Sequence, residues 1–492
     1  MRTWRVSVGA LLVVGIGLGQ SLQRYQNEVF TGIKVTKNVA YGRNYAYGTN
    51  NPIEDLYMDI YEPAGDTAQK RPVIVLIHAG SFLPPSIAGQ AFGKIPIGTK
   101  EDSAIVELCR RYARRGYVAI SATHRLGWNP FLSTQEERAA SIIQAVWRAV
   151  QDGRALVRYL RKDAATTNQW RIDPDRIVMG GSSSGAYVGL HVAYLNLPSE
   201  LNQPKFTYSN GQLFVDTTAL GLSREGPDGQ DGGNAFEGGS GNDGYPSHIQ
   251  AVLNLGGALG DTTFIQNEKI PVISFHGVND PTTPYLTATV YTAVGNRPVV
   301  EVSGSHDIHL RLYEKGNLAA LLPDFESDAP FPGLRPFPGV EFQPWGWYST
   351  STPAEKAAAL RYIDTIMDFS LPRLFKVLSP PTQTYSQPVA GQDTVIDLAS
   401  SLAWANRSAG ETIRLYPTPA NSPLLTIESA ESPLQHLALY TFDGRLLCEA
   451  TPPSNTTHYT WLLPDYITPG YYLLKVQIKN YTIPLRWCYI SP

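Results

Sequence analysis

"RIDPDRIVMGGSSSGAYVGLHVAYL", residues 171–195, reads as a short apolar strand, a run of small residues and then an apolar helix. Inside it, Gly181-Ser182-Ser183-Ser184-Gly185 satisfies Gly-x-Ser-x-Gly. That pattern lets strand and helix backbones pass closely through a sharp turn with the central serine at its apex. Neither Ser182 nor Ser184 has the required pair of glycines, so the frame selects Ser183. It would lie at the carboxyl end of a strand, beside a helix N-terminus whose free N–H groups favour negative charge.

A serine hydroxyl is a poor nucleophile near neutral pH and needs a histidine base oriented by a carboxylate. Downstream, "ISFHGVNDPTTPY" (273–285) places Asp280 in the loop after a strand, and "VVEVSGSHDIHL" (299–310) places His306 after the next one. Ser183, Asp280, His306 is an order found in serine hydrolases built on parallel sheets. His309 is a rival to His306, and Asp307 and Asp261 are rivals to Asp280. His78 and His276 directly follow strands and read as structural or site-lining groups. Upstream, "VIVLIHAGSFL" (73–83) ends a strand with Gly80 and Ser81. Their N–H groups, with that of Ser184, would converge on a developing oxyanion.

From residue 56 to about 378 the chain alternates strand-like runs (56–61, 73–78, 117–122, 176–180, 249–255, 271–276, 297–303) with helical patterns. Several of those runs are apolar throughout. This is the signature of an α/β fold with a mainly parallel central sheet covered by helices on both faces. Residues 138–162 carry one apolar helical stripe, and 352–369 read as a closing helix with Thr352 as N-cap, Pro353 in the first turn and Glu355 as capping partner. Two stretches break the alternation as insertions: 199–247, rich in Gly, Asp and Asn, and 322–349, rich in Pro and aromatics. The aromatics of the second (Phe331, Phe337, Phe342, Trp345, Trp347, Tyr348) read either as the border of an acyl or alcohol pocket or as a surface-packed hydrophobic loop. The acidic-glycine stretch lacks the regular spacing of a calcium loop.

The motifs "VAYGRNY", "YMDIYEP", "RPVIVLIHAGSF", "HRLGW", "VQDGRALVRYLR" and "DPDRIVMGGSSSGAY" stand in the order seen in α/β-hydrolase enzymes. On these motifs, residues 39–378 resemble that fold, and within it secreted carboxylesterases and lipase-like enzymes. The resemblance implies a serine esterase working through an acyl-enzyme, with Ser183, His306 and Asp280 as triad. Gly304-Ser305-His306 is similar to the family's Gly-x-Gly-His, which favours His306 over His309. Ala79 and Ser81 stand where the family usually has glycines in its oxyanion loop. A peptidase of the same fold, or a binding protein with a vestigial site, are the alternatives. No metal-ligand spacing and no phosphate- or dinucleotide-binding glycine loop appears, so no cofactor is expected.

The chain has 492 residues and a formal charge of -3, which argues against nucleic acid as a partner. Residues 1–19, with Arg2 and Arg5, an apolar run and small residues, have the layout of a signal peptide. The run is shorter than the roughly 20 residues that span a bilayer. Residues 379–412 read as a linker, and 413–492 as an antiparallel β-sandwich without helical period. Tyr416-Pro417-Thr418-Pro419, Asp443-Gly444-Arg445 and Gly470-Tyr471-Tyr472 make that sandwich similar to the C-terminal sorting domain of the bacterial type IX secretion system. The resemblance implies periplasmic transit, then secretion or attachment at the outer cell surface, with the secretion machinery as a partner. Cys448 and Cys488 lie on separate strand-like runs and are candidates for a disulfide, while Cys109 reads as a buried thiol.

Overall fold

The computed structural model describes residues 21–45, 47, 53–84, 87, 98–215, 242, 244–266, 269–293, 295–328, 330–338, 352–398, 406–408, 411–417, 424–429, 432–441, 446–464, 470–478 and 481–489. The signal-peptide stretch, most of the acidic-glycine insertion and residues 339–351 lie outside the described residues.

Among the described residues, a nine-stranded sheet takes its strands from between Ile33 and Asp397. Its strands are β1 (Ile33–Tyr45), β2 (Ile53–Pro63), β3 (Arg71–Ile77), β4 (Val118–Ala122), β5 (Ile172–Ser182), β6 (Ala251–Leu255), β7 (Val272–Gly277), β10 (Leu334–Phe337) and β11 (Thr394–Asp397). They run in the order β10-β7-β6-β5-β3-β4-β2-β1-β11. Only the β1–β2 and β2–β4 pairs are antiparallel. Between β7 and β10, β8 (Ala288–Tyr291) and β9 (Pro298–Val302) form a separate antiparallel ribbon.

Every residue of β3 is buried, yet the pleat still sorts them. Val73, Val75 and Ile77 join the cluster under helices α2 (Gln135–Ala165) and α3 (Ser184–Tyr194). Ile74 and Leu76 join the opposite cluster under α1 (Ser103–Arg114) and α5 (Pro353–Leu378). A central strand with helices on both faces therefore needs an unbroken apolar run rather than alternation. These features are those of the α/β-hydrolase fold expected from the sequence.

Three expectations change. The run 297–303 is not a strand of the main sheet. The edge place beside β7 belongs instead to β10, inside the stretch read as an insertion. An edge strand tolerates Pro336, because it need not donate on its outer side, and this masked its character. Next, the 379–412 "linker" is partly sheet. Thr384–Tyr385 pair with Leu22–Gln23, Val389 exchanges hydrogen bonds with Val29 and Thr31, and β11 adds parallel to β1. Asp393 accepts from Ile33 N at 2.9 Å. Finally, α5 continues nine residues past the predicted end at 369, through Pro372, because Leu371, Leu374 and Leu378 extend its buried stripe. Its predicted Thr352–Glu355 capping box is present.

The C-terminal residues form two four-stranded antiparallel sheets. One comprises β12 (Asn406–Ser408), β13 (Glu411–Pro417), β14 (Leu424–Ser429) and β17 (His458–Leu462). The other has β15 (Leu434–Thr441), β16 (Leu446–Ala450), β18 (Gly470–Ile478) and β19 (Tyr481–Tyr489), in the order β16-β15-β18-β19. Leu425, Ile427, Leu437, Trp461, Leu474 and Val476 share one core between them. The candidate Cys448–Cys488 disulfide does not fit. Cys448 is on β16 and Cys488 on β19, at opposite edges of one sheet. Three strand spacings of about 4.8 Å separate them, beyond disulfide reach, and Cys448 is a free thiol.

Candidate active site

The elbow forms where the sequence places it. Ser183 follows β5 with φ 48° and ψ −117°, a strained conformation, and caps α3. A Cβ on Gly181 or on Gly185 would collide with the Ile77 carbonyl, so both glycines are demanded by the approach of β3. Ser183 is 6% exposed; Ser182 and Ser184 are buried, and their hydroxyls have no partner among the described residues. Ser182 remains in the ladder opposite Leu255 and Ser184 begins the helix. Only Ser183 stands at the apex.

The oxyanion candidates form a second strained loop beside it. Gly80 (φ 134°), Ser81 (53°) and Phe82 (56°) are successive residues with positive φ. Their carbonyls are tied down by Leu83 N, Trp128 Nε1 and Gly127 N at 2.8–3.0 Å. Among the described residues, nothing accepts from the N–H of Gly80, Ser81 or Ser184. Beneath the loop, His78 stacks on His124 with ring centres 4.7 Å apart. Burial holds both imidazoles neutral, lowering His78 to about 3 and His124 to about 4.

The base side departs from expectation. His306 lies in the first turn of α4 (Ser305–Glu314), and its Nδ1 meets Asp307 Oδ1 at 2.8 Å. The expected Asp280–His306 pair is not formed. Asp280 Oδ1 instead accepts from the amides of Thr282 and Thr283 at 2.8 and 2.9 Å, closing its own turn. Asp280 Oδ2 is buried without a hydrogen-bond partner among the described residues, 3.4 Å from His276 Nε2. No hydrogen bond joins Ser183 to His306 among the described contacts. The His306 ring packs against Tyr285 and Phe331 and is 32% exposed. Burial pushes the Asp307 carboxyl up, but hydrogen bonds from Thr287 and His306 outweigh it and hold it below its usual range. Asp307 also offsets the unfavourable end of the α4 dipole for an imidazolium at this place.

The rivals are otherwise placed. His309 is fully buried and bonded to Ser274 Oγ at 2.8 Å, with burial lowering it to about 3. Asp261 caps a short 3-10 turn and pairs with Lys205. Sequence reasoning missed the network that seats α4. Asn254 Nδ2 donates to Ser274 and Ser305 hydroxyls, and His276 Nδ1 meets Ser305 Oγ at 2.7 Å. The only available signal was polar residues, Asn254 and Ser274, inside otherwise apolar strands.

Ser183, Ser184 and Ser81 share one cavity of about 310 Å³. Its walls come from Phe82, Trp128, α2 (Ile142, Ile143, Val146) and the β8–β9 ribbon. Of the aromatics singled out in the 322–349 stretch, the described Phe331 and Phe337 do not line it. Phe331 packs on His306 and Phe337 on Tyr362 of α5, so edge-strand packing has taken the place of a pocket border. Phe342, Trp345, Trp347 and Tyr348 lie outside the described residues. Among the described residues, no group of three or more His, Cys, Asp or Glu is arranged to hold a metal, and no helix is long and apolar enough to cross a membrane.

Residues 58–218 match the profile of the BD-FAE family, a span that includes the oxyanion loop and the elbow. No curated protein matches the sequence. Among solved structures, the chain is similar to esterase 2 of the planctomycete Thermogutta terrifontis. The form phosphorylated by paraoxon is 18% identical, with 73% of this chain and 99% of that one covered and a TM-score of 0.38. For the butyrate-bound form the values are 17%, 73%, 99% and 0.39. The apo form gives 16%, 71%, 98% and 0.35.

Proposed function

We propose that the protein hydrolyses carboxylic esters through an acyl-enzyme on Ser183. The observation that carries this reading is the strained apex of Ser183 on the floor of a cavity, with the unbonded N–H groups of Gly80, Ser81 and Ser184 around it. Ser183 Oγ attacks the ester carbonyl and its proton passes to His306. The carbonyl oxygen takes up charge facing those N–H groups, where one such donor is worth about 2.7–4 kcal/mol of barrier. His306 then protonates the leaving alcohol, and a water molecule releases the acid by the same steps in reverse. Asp307 holds His306 in this arrangement, in place of Asp280. Proton transfer requires a Ser183–His306 hydrogen bond that this structure does not contain, and the His306 ring, one-third exposed, is open to rearrangement.

The peptidase alternative finds less support. No Asp or Glu lines the cavity among the described residues to receive a peptide ammonium. Ser183→Ala should remove p-nitrophenyl acetate hydrolysis while leaving the circular dichroism spectrum unchanged. Retained turnover in that variant sinks the reading.

For residues 413–492 the reading is an export address, supported by the Tyr-Pro-x-Pro, Asp-Gly-Arg and Gly-Tyr-Tyr signatures. Together with the leader-like first 19 residues, it takes the enzyme through the periplasm to the outer surface or medium. Deleting 413–492 should hold active enzyme in the periplasm of the native host. Unchanged secretion would remove the sorting role.

A further inference from the structure

The cavity over Ser183 has one wall that the central sheet does not supply. The β8–β9 ribbon stands outside that sheet, and its Val290, Val299, Val300 and Val302 line the cavity opposite Ile142, Ile143 and Val146 of α2. An isolated two-stranded ribbon is marginal by itself, so what fastens it matters. Arg138, buried on α2, donates from Nε and Nη2 to the Pro298 carbonyl at 3.1 and 3.0 Å. Gln135 Nε2 donates to the Val299 carbonyl at 3.2 Å, and Arg297 Nη1 returns a bond to the Leu132 carbonyl. At the far end Ser303 exchanges two backbone bonds with Leu259, in the loop after β6. The exposed edge of β9 is thus satisfied by helix side chains, and the ribbon is a fixed wall.

Two properties of that wall restrict what it receives. No Lys, Arg, Asp or Glu lines the cavity among the described residues, and burial keeps the lining His191 neutral, lowering it to about 4. A charged group entering there would lose hydration with no ionic partner. The cavity of about 310 Å³ is also at the small end of the usual range for ligand sites. Its floor holds the oxyanion candidates Ser81 and Ser184, whereas His306 is not among the lining residues. The leaving alcohol must lie on the side of the base that protonates it. The group left for the cavity is the acyl chain.

We infer that the β8–β9 ribbon, seated on α2, selects the acyl group, and that this group is an uncharged aliphatic or aromatic chain of short to medium length. The inference rests on the proposed ester hydrolysis at Ser183. Its test is the p-nitrophenyl ester series acetate, butyrate, hexanoate, octanoate and the anionic hemisuccinate, on wild type and Val299→Trp. Wild type should prefer butyrate or hexanoate to acetate, and hemisuccinate should fall at least about tenfold below butyrate. Val299→Trp should lower kcat/KM for hexanoate at least about tenfold and for acetate less than about threefold. Ile143→Ala, which enlarges the opposite wall, should shift preference towards octanoate and covers the case in which the tryptophan does not fold. A flat acyl profile, equal loss on acetate and hexanoate in a folded Val299→Trp, or an altered preference among alkyl butyrates instead, would overturn it. Calorimetry of N-methylhexanamide with Ser183→Ala separates the two readings. Binding that Val299→Trp abolishes supports the ribbon's role even if no ester is turned over. Ester turnover without such binding overturns it.

Discussion

The two halves of the candidate site are built by different means. The nucleophile half is backbone: an apex at φ 48°, two glycines pressed on Ile77, and three successive residues of positive φ at 80–82. The base half is side chains on an excursion. His306 leans on Asp307, Asp280 turns back on its own loop, and α4 is seated by the Asn254–Ser305–His276 network. Backbone geometry of the first kind needs particular residues at fixed offsets, so it can be read from sequence. A histidine's partner depends on a rotamer and on which strand joins the sheet. Neither leaves a local pattern.

The largest expected effect lies in the first half. Ser183→Ala should lower kcat/KM for p-nitrophenyl esters by about 10⁴–10⁶, with Ser182→Ala and Ser184→Ala within about tenfold of wild type. Next is the scaffold beneath it. Gly181→Ala drives a methyl into the Ile77 carbonyl at a φ of 154°, and should cost about 4 kcal/mol or more in urea unfolding, or prevent soluble expression. Tolerance of alanine there would mean that the elbow is not held by close backbone approach.

The base half sharpens the contrast. Asp307→Asn should lower kcat by about 10²–10⁴, the scale seen when a histidine loses its orienting carboxylate. Asp280→Asn should stay within about tenfold of wild type. If the two are reversed, the buried Asp280 Oδ2 is the working partner and His306 exchanges carboxylates on binding substrate.

The fold was legible where local chemistry and burial agree. β3 announced itself as an apolar run, α5 by Thr352, Pro353 and Glu355, and the elbow by Gly181 and Gly185. β10 and β11 were hidden because edge strands carry little apolar signal. Leu334 alone is buried in the first, and Val395 and Ile396 are exposed in the second. Only long-range pairing, to β7 and to β1, makes them strands. The candidate serine and histidine were visible in the sequence, but the carboxylate was not: the pairing of His306 with Asp307, instead of Asp280, needed α4 to be placed. A consequence follows for the boundary at 378. A chain ended there loses β11 and the clasp on residues 22–31, and should be about 2–4 kcal/mol less stable than one ended at 398. Equal melting temperatures would return 383–397 to the role of linker.

Acid stability reports on the buried histidines. Burial holds His78, His124, His191 and His309 at about 3 to 4, against an ordinary 6.5. As pH falls from 6.5 towards 4 the unfolded chain takes up protons at these four that the folded one refuses, so stability is lost. Asp102 and Glu54 oppose this, because burial raises both to about 7 and they retain protons that the unfolded chain releases. Four histidines against two carboxylates leave a net loss on the order of 2–3 kcal/mol per pH unit between about 6 and 4.5. Chemical denaturation at stepped pH measures the slope. A stability that is flat or rises on acidification would contradict the burial of these rings.

The proposed nucleophile is one strained serine, chosen by backbone geometry from three in a row. Labelling the folded protein with a fluorophosphonate and mapping the adduct by tandem mass spectrometry tests it most directly. One adduct per chain is expected, on Ser183, lost in Ser183→Ala and after unfolding in urea. An adduct on Ser182 or Ser184, or none on a well-folded protein, would contradict it.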